Sequence, residues 1–436
     1  MKRLLPMIAT VMLMVPCASG ADEVIKKGEL LTLERAVAIA SERHPNISAG
    51  RSSIDAAQSR VGQARSGYYP QIGMSAGYSR VKQTVSSATQ TPGSDTTLRS
   101  ANGSFDQYSG SIALTQNLFD FGKTKAQVDV QSFNLEASRD DLSGITDVVV
   151  FNVKQSYFAI LKAKRTRDVA EETVSQFVKH LDQAKGFFEV GTKPKFDVTK
   201  AEVDLSNAKL SLIKAENAQR VALVTLNNAL GIPDAPEYLI EDNLSFQKYA
   251  ITYDEALEKA YKNRPDLTAL LARKSAAEKA VTLAEKGYYP FLTGNAGYNR
   301  TGESFPLNNG WSVGATLSFP IFSGFLTKNQ VEEARANLNV IKANEETLRQ
   351  NILLEVKQDY LALAEAEERI ANAELTVRQA TENLEIANGR YAAGVGNPIE
   401  VADAEVSLSN AKTEHIAALY DYRVGRASIE KAIGLR

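Results

Sequence analysis

The chain has 436 residues, 50 Lys and Arg against 52 Asp and Glu, and 44% apolar residues, with one Cys, three His and one Trp. This is the composition of a folded protein, and its near-neutral charge, alternating in sign along most segments, offers no basic face to nucleic acid. A lone Cys forms no intramolecular disulfide, His44, His180 and His415 lie far apart without metal-ligand spacing, and no phosphate loop or nucleophile elbow is present, so no cofactor, metal or catalytic residue is expected.

Residues 1–21 read as an export leader: Lys2 and Arg3, an apolar run from Leu4 to Val15, then Ala18, Ser19, Gly20 and Ala21. The run of about a dozen residues is too short to span a bilayer, and no other apolar stretch approaches ~20 residues. Cys17 raises the question of lipidation, against which Pro16 is a poor fit to a lipoprotein cleavage site. Removing Lys2 and Arg3 with the leader leaves 48 basic and 52 acidic residues, net −4.

Beyond the leader one pattern occurs twice. Residues 31–80 align with 251–300 at a constant offset of 220, with 17 of 50 positions identical, including Gly67-Tyr68-Tyr69-Pro70 against Gly287-Tyr288-Tyr289-Pro290. From Leu118 and Phe119 against Ile321 and Phe322 the offset becomes 203 and holds through AEVDLSNAK against AEVSLSNAK to Gly231 and Gly434. The difference of 17 residues falls in a Ser-, Thr- and Gly-rich segment between about 81 and 107, read as a long exposed loop. The chain therefore divides into a first unit at 22–231, a connector at 232–250 containing Pro233 and Pro236, and a second unit at 251–436.

Each unit opens with Ala-rich helix, at 46–66 and 266–286, stopping at Gly-Tyr-Tyr-Pro. The period then becomes two: Ile72, Met74, Ala76 and Tyr78 alternate with Gly73, Ser75, Gly77 and Ser79, and Trp311, Val313, Ala315 and Leu317 alternate with Ser312, Gly314 and Thr316. Four strands result, at about 70–81, 107–119, 290–300 and 311–321. Such strands suit either a sheet covering a soluble core or a membrane barrel with apolar residues to lipid and small polar ones to a lumen; export and the lack of another core favour the barrel. Four strands cannot close one, so several subunits must share it.

Very long helices without Pro follow at about 123–190 and 326–393, each reaching roughly 100 Å. Leu363, Ala366, Ile370, Ala373, Val377, Ala380, Leu384, Ala387 and Tyr391 mark a heptad seam, and descending helices at about 195–230 and 398–433 repeat it. The turns between them are FFEVGTKPKFDV and RYAAGVGNPIEV, with Gly191 and Gly394 placed as helix stops and Pro194 and Pro398 as restarts. Asn397, Pro398 and Glu400 resemble a capping box, and Asp197 falls in a first turn, where the helix dipole favours a carboxylate. The functional alternative is that Glu400 and Asp403, on one side of the helix, face a shared axis as rings of carboxylates that attract cations. Tyr391 either packs as a heptad residue or braces the same constriction.

In this order and twice over, Gly-Tyr-Tyr-Pro, Leu118-Phe119-Asp120-Phe121-Gly122, Pro320-Ile321-Phe322-Ser323-Gly324 and Val190-Gly191-Thr192 resemble the TolC-like outer-membrane efflux proteins from about 31 to 434. The resemblance implies an α+β membrane protein in the outer-membrane lipid. It implies that three copies form a homotrimer, with a 12-stranded β-barrel continuous with a coiled-coil periplasmic tunnel closed at its inner tip. It implies a passive, non-enzymatic duct for efflux or type I secretion, docked through Val190, Gly191, Thr192, Gly394, Val395 and Gly396 to a periplasmic adaptor serving an inner-membrane transporter. Glu400 and Asp403 match the acidic constriction, and Tyr391 and Asp197 lie near its closing contacts. Gly396 stands where some members carry a basic gate residue, and Lys200 stands opposite Asp403 in the repeat. The rival from another class is a periplasmic coiled-coil adaptor or scaffold, which has no use for four alternating strands.

Overall fold

The computed structural model describes residues 25–82 and 104–435. The expected leader, Cys17 and most of the long polar loop lie outside the described residues. The first elements are β1 (Leu30–Leu31), α1 (Leu33–Arg43) and α2 (Pro45–Arg65), followed by β2 (Gln71–Lys82) and β3 (Ser104–Phe119). Two long helices come next, α3 (Lys123–Glu189) and α4 (Lys195–Leu230), then β4 (Leu239–Ile240). The same order of helices and strands then recurs as α5 (Tyr253–Asn263), α6 (Pro265–Glu285), β5 (Phe291–Gly302), β6 (Asn308–Ser318), α7 (Leu326–Ala392) and α8 (Pro398–Ala432).

β2, β3, β5 and β6 form one antiparallel sheet in that order. Its register places Met74 opposite Ile112, Ile112 opposite Tyr298, and Tyr298 opposite Trp311, so one face is apolar from edge to edge. The other face carries small polar residues, with the Ser75 and Ser111 hydroxyls 2.8 Å apart. Met74 is 80% exposed and Trp311 78%, so among the described residues no element covers the apolar face. Against the expectation of strands at 107–119 and 311–321, β3 begins at Ser104, while β6 runs from Asn308 and stops at Ser318, before Pro320. Proline donates no ladder hydrogen bond, which accounts for that stop.

The sheet passes into the long helices through left-handed residues, Phe121 at φ 52° and Phe325 at φ 65°. Asp120 holds the first junction: its carboxylate accepts from the Gly122 and Thr124 backbone N–H groups at 3.0 and 2.7 Å. Phe119, Phe121 and Tyr289 form a ring cluster there, with centroids 4.7 and 5.7 Å apart. Aromatic rings at this level suit a membrane–water interface.

α3 and α7 span 67 residues each, which at ~1.5 Å per residue is about 100 Å. α4 packs on α3, α3 on α8 and α8 on α7, so α4 and α7 flank the helical layer. Around one half of this layer α1 and α2 pack on α3, α6 packs on α3 and α7, and α5 packs on α7. Two buried tyrosines fix that wrapping. Tyr157 donates to the Leu31 and Glu241 carbonyls at 3.1 and 2.9 Å, while the Tyr422 hydroxyl donates to the Gln247 carbonyl and accepts from Tyr249 N–H, both at 2.8 Å. The connector at 232–250 carries β4, which pairs in parallel with β1 and for which no strand was expected. Among the described residues no helix is long and apolar enough to cross a membrane.

Candidate functional site

The two helical hairpins turn by the same backbone device. After α3, Gly191 takes φ 75°; its N–H bonds to the Phe188 carbonyl at 3.0 Å and the Thr192 N–H to the Phe187 carbonyl at 2.9 Å. After α7, Gly394 takes φ 78°; its N–H bonds to the Tyr391 carbonyl at 3.0 Å and the Val395 N–H to the Arg390 carbonyl at 3.1 Å. Both are Schellman stops, which satisfy the last carbonyls of a helix and favour glycine at the left-handed position.

α8 restarts as expected at Pro398, with the Asn397 side chain accepting from Ile399 N–H at 3.0 Å. The capping box is not completed. The Glu400 carboxylate turns to Arg390 Nε, 3.4 Å away across the turn, where both side chains are about half exposed and the pair contributes little to stability. Asp403 is exposed one turn further along α8. The two carboxylates therefore remain on the surface of the protomer.

Asp197 and Tyr391 occupy a different environment. Asp197 is buried in the first turn of α4. Tyr391 is 0% exposed, its ring 5.1 Å from His180 and 5.5 Å from Phe187 between centroids, with Lys193 Nζ 5.6 Å above it. It is thus a packed heptad residue locking α7 against α3. Burial first and the Asp197 charge second raise the Tyr391 pKa above its ordinary value. Burial holds the His180 imidazole below its ordinary value, against the pull of Asp204 and Asp197. Lys200, opposite Asp403 in the repeat, is engaged within its own helix by Asp204.

Of the residues expected at the docking turns, Val190 is 72% and Val395 71% exposed, and Gly191, Thr192 and Gly394 are exposed beside them. Gly396 differs, being buried. A Cβ there would stand 2.6 Å from Tyr391 N and 2.8 Å from the Arg390 carbonyl carbon, so no side chain fits. The basic group absent from that position comes from the other hairpin: Lys193, which aligns with Gly396 at the offset of 203, donates to the Gly396 carbonyl at 3.4 Å. Sequence reasoning passed over Lys193, although the same repeat alignment pointed to it. It also passed over Phe196, exposed beside the first turn, which widens the apolar tip formed by the two valines. Among the described residues no cluster of His, Cys, Asp or Glu is arranged to hold a metal.

A model of the family described as outer membrane efflux protein matches residues 36–232 and 256–435. The chain is 24% identical to outer membrane protein TolC of Escherichia coli over 454 aligned residues, covering 100% of this chain and 87% of that one. It is 25% identical to protein CyaE of Bordetella pertussis, covering 96% of this chain and 86% of that one. A crystal structure of CusC, solved in a study of folding and transmembrane channel formation, superposes with a TM-score of 0.81 at 18% identity, covering 93% of this chain and 92% of that one.

Proposed function

The chain belongs to the outer membrane efflux protein family, the channels that form the exit ducts of tripartite efflux systems, and from that premise we propose how its own residues build and gate the duct. It is an outer-membrane protein with a large periplasmic portion. Three copies place their four-stranded sheets edge to edge as one barrel of twelve strands. The apolar faces meet lipid, the serine- and glycine-rich faces line the lumen, and the helices continue the passage into the periplasm. The observation that carries this reading is the sheet itself, apolar on one face, polar on the other and uncovered on both, joined directly to helices about 100 Å long.

At the narrow end, Glu400 and Asp403 supply rings of negative charge around the axis, while Asp197 and Tyr391 hold the hairpins together behind them. The exposed turns at Val190 and Val395 dock a periplasmic adaptor. The adaptor couples the duct to an inner-membrane transporter, which provides the energy. Efflux and type I secretion use the same passage in this reading, because cargo is selected upstream. A scaffold without a barrel would leave the apolar sheet face in water, which is costly over this area.

In planar bilayers the purified protein is expected to give discrete, cation-preferring channels. Glu400→Gln combined with Asp403→Asn should lower that preference, because fixed carboxylates at a constriction concentrate cations. Unchanged selectivity in the double variant would remove both residues from the pore.

A further inference from the structure

A cavity of about 600 Å³ lies far from the hairpin tips, where α1, α3, α8 and the connector meet. Val37, Val150, Phe158 and Ala427 form its apolar lining, and Lys154, Arg423, Arg426, Glu34 and Glu430 supply its charges. Those charges are unevenly matched. Glu430 accepts from Lys154 at 2.7 Å and from Arg426 Nε at 2.9 Å, so the carboxylate nearest the cations is shared by two of them.

Arg423 forms no ion pair with a carboxylate of the described residues, Glu34 included. Its Nη2 donates only to neutral oxygens, the Asn243 carbonyl at 3.0 Å and Ser245 Oγ at 3.2 Å. The guanidinium lies 5.7 Å from the Phe158 ring centroid. Burial, and Arg426 beside it, push the Arg423 pKa below its ordinary value. Glu430 acts on Arg423 only from beyond ion-pair distance. A partly buried guanidinium with no carboxylate in contact is unfavourable, and the space before it matches the size of small-ligand sites.

We infer that this cavity binds a small amphipathic carboxylate, its acid group paired with Arg423 and its apolar body lying along Val37, Val150, Phe158 and Ala427. The planar guanidinium presents paired donors to a carboxylate, and an inorganic anion would leave the apolar lining unfilled. The cavity opens over α3 and α8, the inner pair of the helical layer, whereas the flanks available to neighbouring copies are α4 and α7. Its lining includes no residue of α4 or α7. The site is independent of the tip carboxylates, and its occupant would touch α1 and α3 from one unit, α8 from the other, and the connector between them.

The test is titration calorimetry on the full chain in non-ionic detergent, with phenylbutyrate and its uncharged amide as probes. Saturable binding of the acid with at least ~tenfold preference over the amide is expected, that preference being lost in Arg423→Gln. Ala38→Trp, a substitution at an exposed residue of the lining, should block binding with Arg423 in place, and decides the matter if Arg423→Gln does not fold. Absence of saturable binding, equal binding of acid and amide, or retention of parental affinity in Ala38→Trp would each overturn the inference. None of these results bears on channel conductance, so the site and the duct are tested separately.

Discussion

Glu405 is the residue whose environment departs furthest from that of an ordinary carboxylate. It is 5% exposed on α8 against α3, and the charges around it are Glu172 and Lys179 on α3 and Lys412 on its own helix. Lys412 is already held by Glu172 at 2.7 Å. Burial first and Glu172 second push the Glu405 carboxyl up to about 7 from an ordinary 4.5. The folded state therefore retains a proton that the unfolded state has released. The stabilisation is fully present below the ordinary value and is lost as pH rises through about 7. Glu405→Gln should remove this dependence and stabilise the protein at pH ~8 by on the order of 2–3 kcal/mol, read as a higher unfolding midpoint than the parent at alkaline but not at acidic pH. His180 acts in the opposite sense, because its lowered pKa makes its contribution complete above the ordinary value of 6.5 and erodes it as pH falls. Tyr391 offers a second test at this scale. Its hydroxyl is buried with no hydrogen-bond partner among the described residues. Tyr391→Phe should thus leave stability unchanged or raise it by about 1 kcal/mol, and a loss of that size would mean that the hydroxyl finds a partner in the assembled protein.

At the scale of elements, the alternation in the strands makes a sharp distinction between neighbouring residues. Met74 and Ser75 are adjacent and both exposed, yet they lie on opposite faces of β2. Met74→Arg should cost ~2–4 kcal/mol if the apolar face meets lipid, and Ser75→Arg on the luminal face should be tolerated. The amount of heat-modifiable protein in outer-membrane fractions measures the contrast; equal tolerance would place both faces in water. These strands were legible in the sequence because a period of two survives without knowledge of any partner. The Schellman stops were legible for a similar reason, since Gly191 and Gly394 act within their own turns. By contrast, β1 and β4 are two residues each and pair across about 200 positions of chain, leaving no local period to detect. The Glu400 capping box failed because Arg390, one turn away in space, competes for the same carboxylate. The repeat alignment pairs Lys193 with Gly396, but neither turn alone records that the two hairpin tips meet, which is what brings the ammonium to that carbonyl.

The whole molecule is incomplete at its flanks, and that incompleteness can be tested. β2 and β6 each leave one edge of the sheet unpaired, the condition that closure into a barrel abolishes. The helical layer ends in the same way. α4 exposes Val203, Leu210, Ile213, Val221 and Val224, and α7 exposes Val340, Leu354, Leu361 and Leu375, the last four separated by multiples of seven residues. Such rows suit the seam of a coiled coil, and in the trimer proposed above α4 of one copy would pair with α7 of the next. Leu361 decides between this arrangement and a self-sufficient protomer. It is 53% exposed, and an ordinary surface site of that kind tolerates substitution within about ±0.5 kcal/mol. If the row is a seam, Leu361→Glu buries a carboxylate between two helices at each of three contacts, a costly desolvation. Native mass spectrometry of the parent should then give three copies, and Leu361→Glu should shift the population to single chains with unchanged helical content. Retention of the trimer in that variant would refute the pairing of α4 with α7, while a parent of one, two or four copies would refute the twelve-stranded barrel.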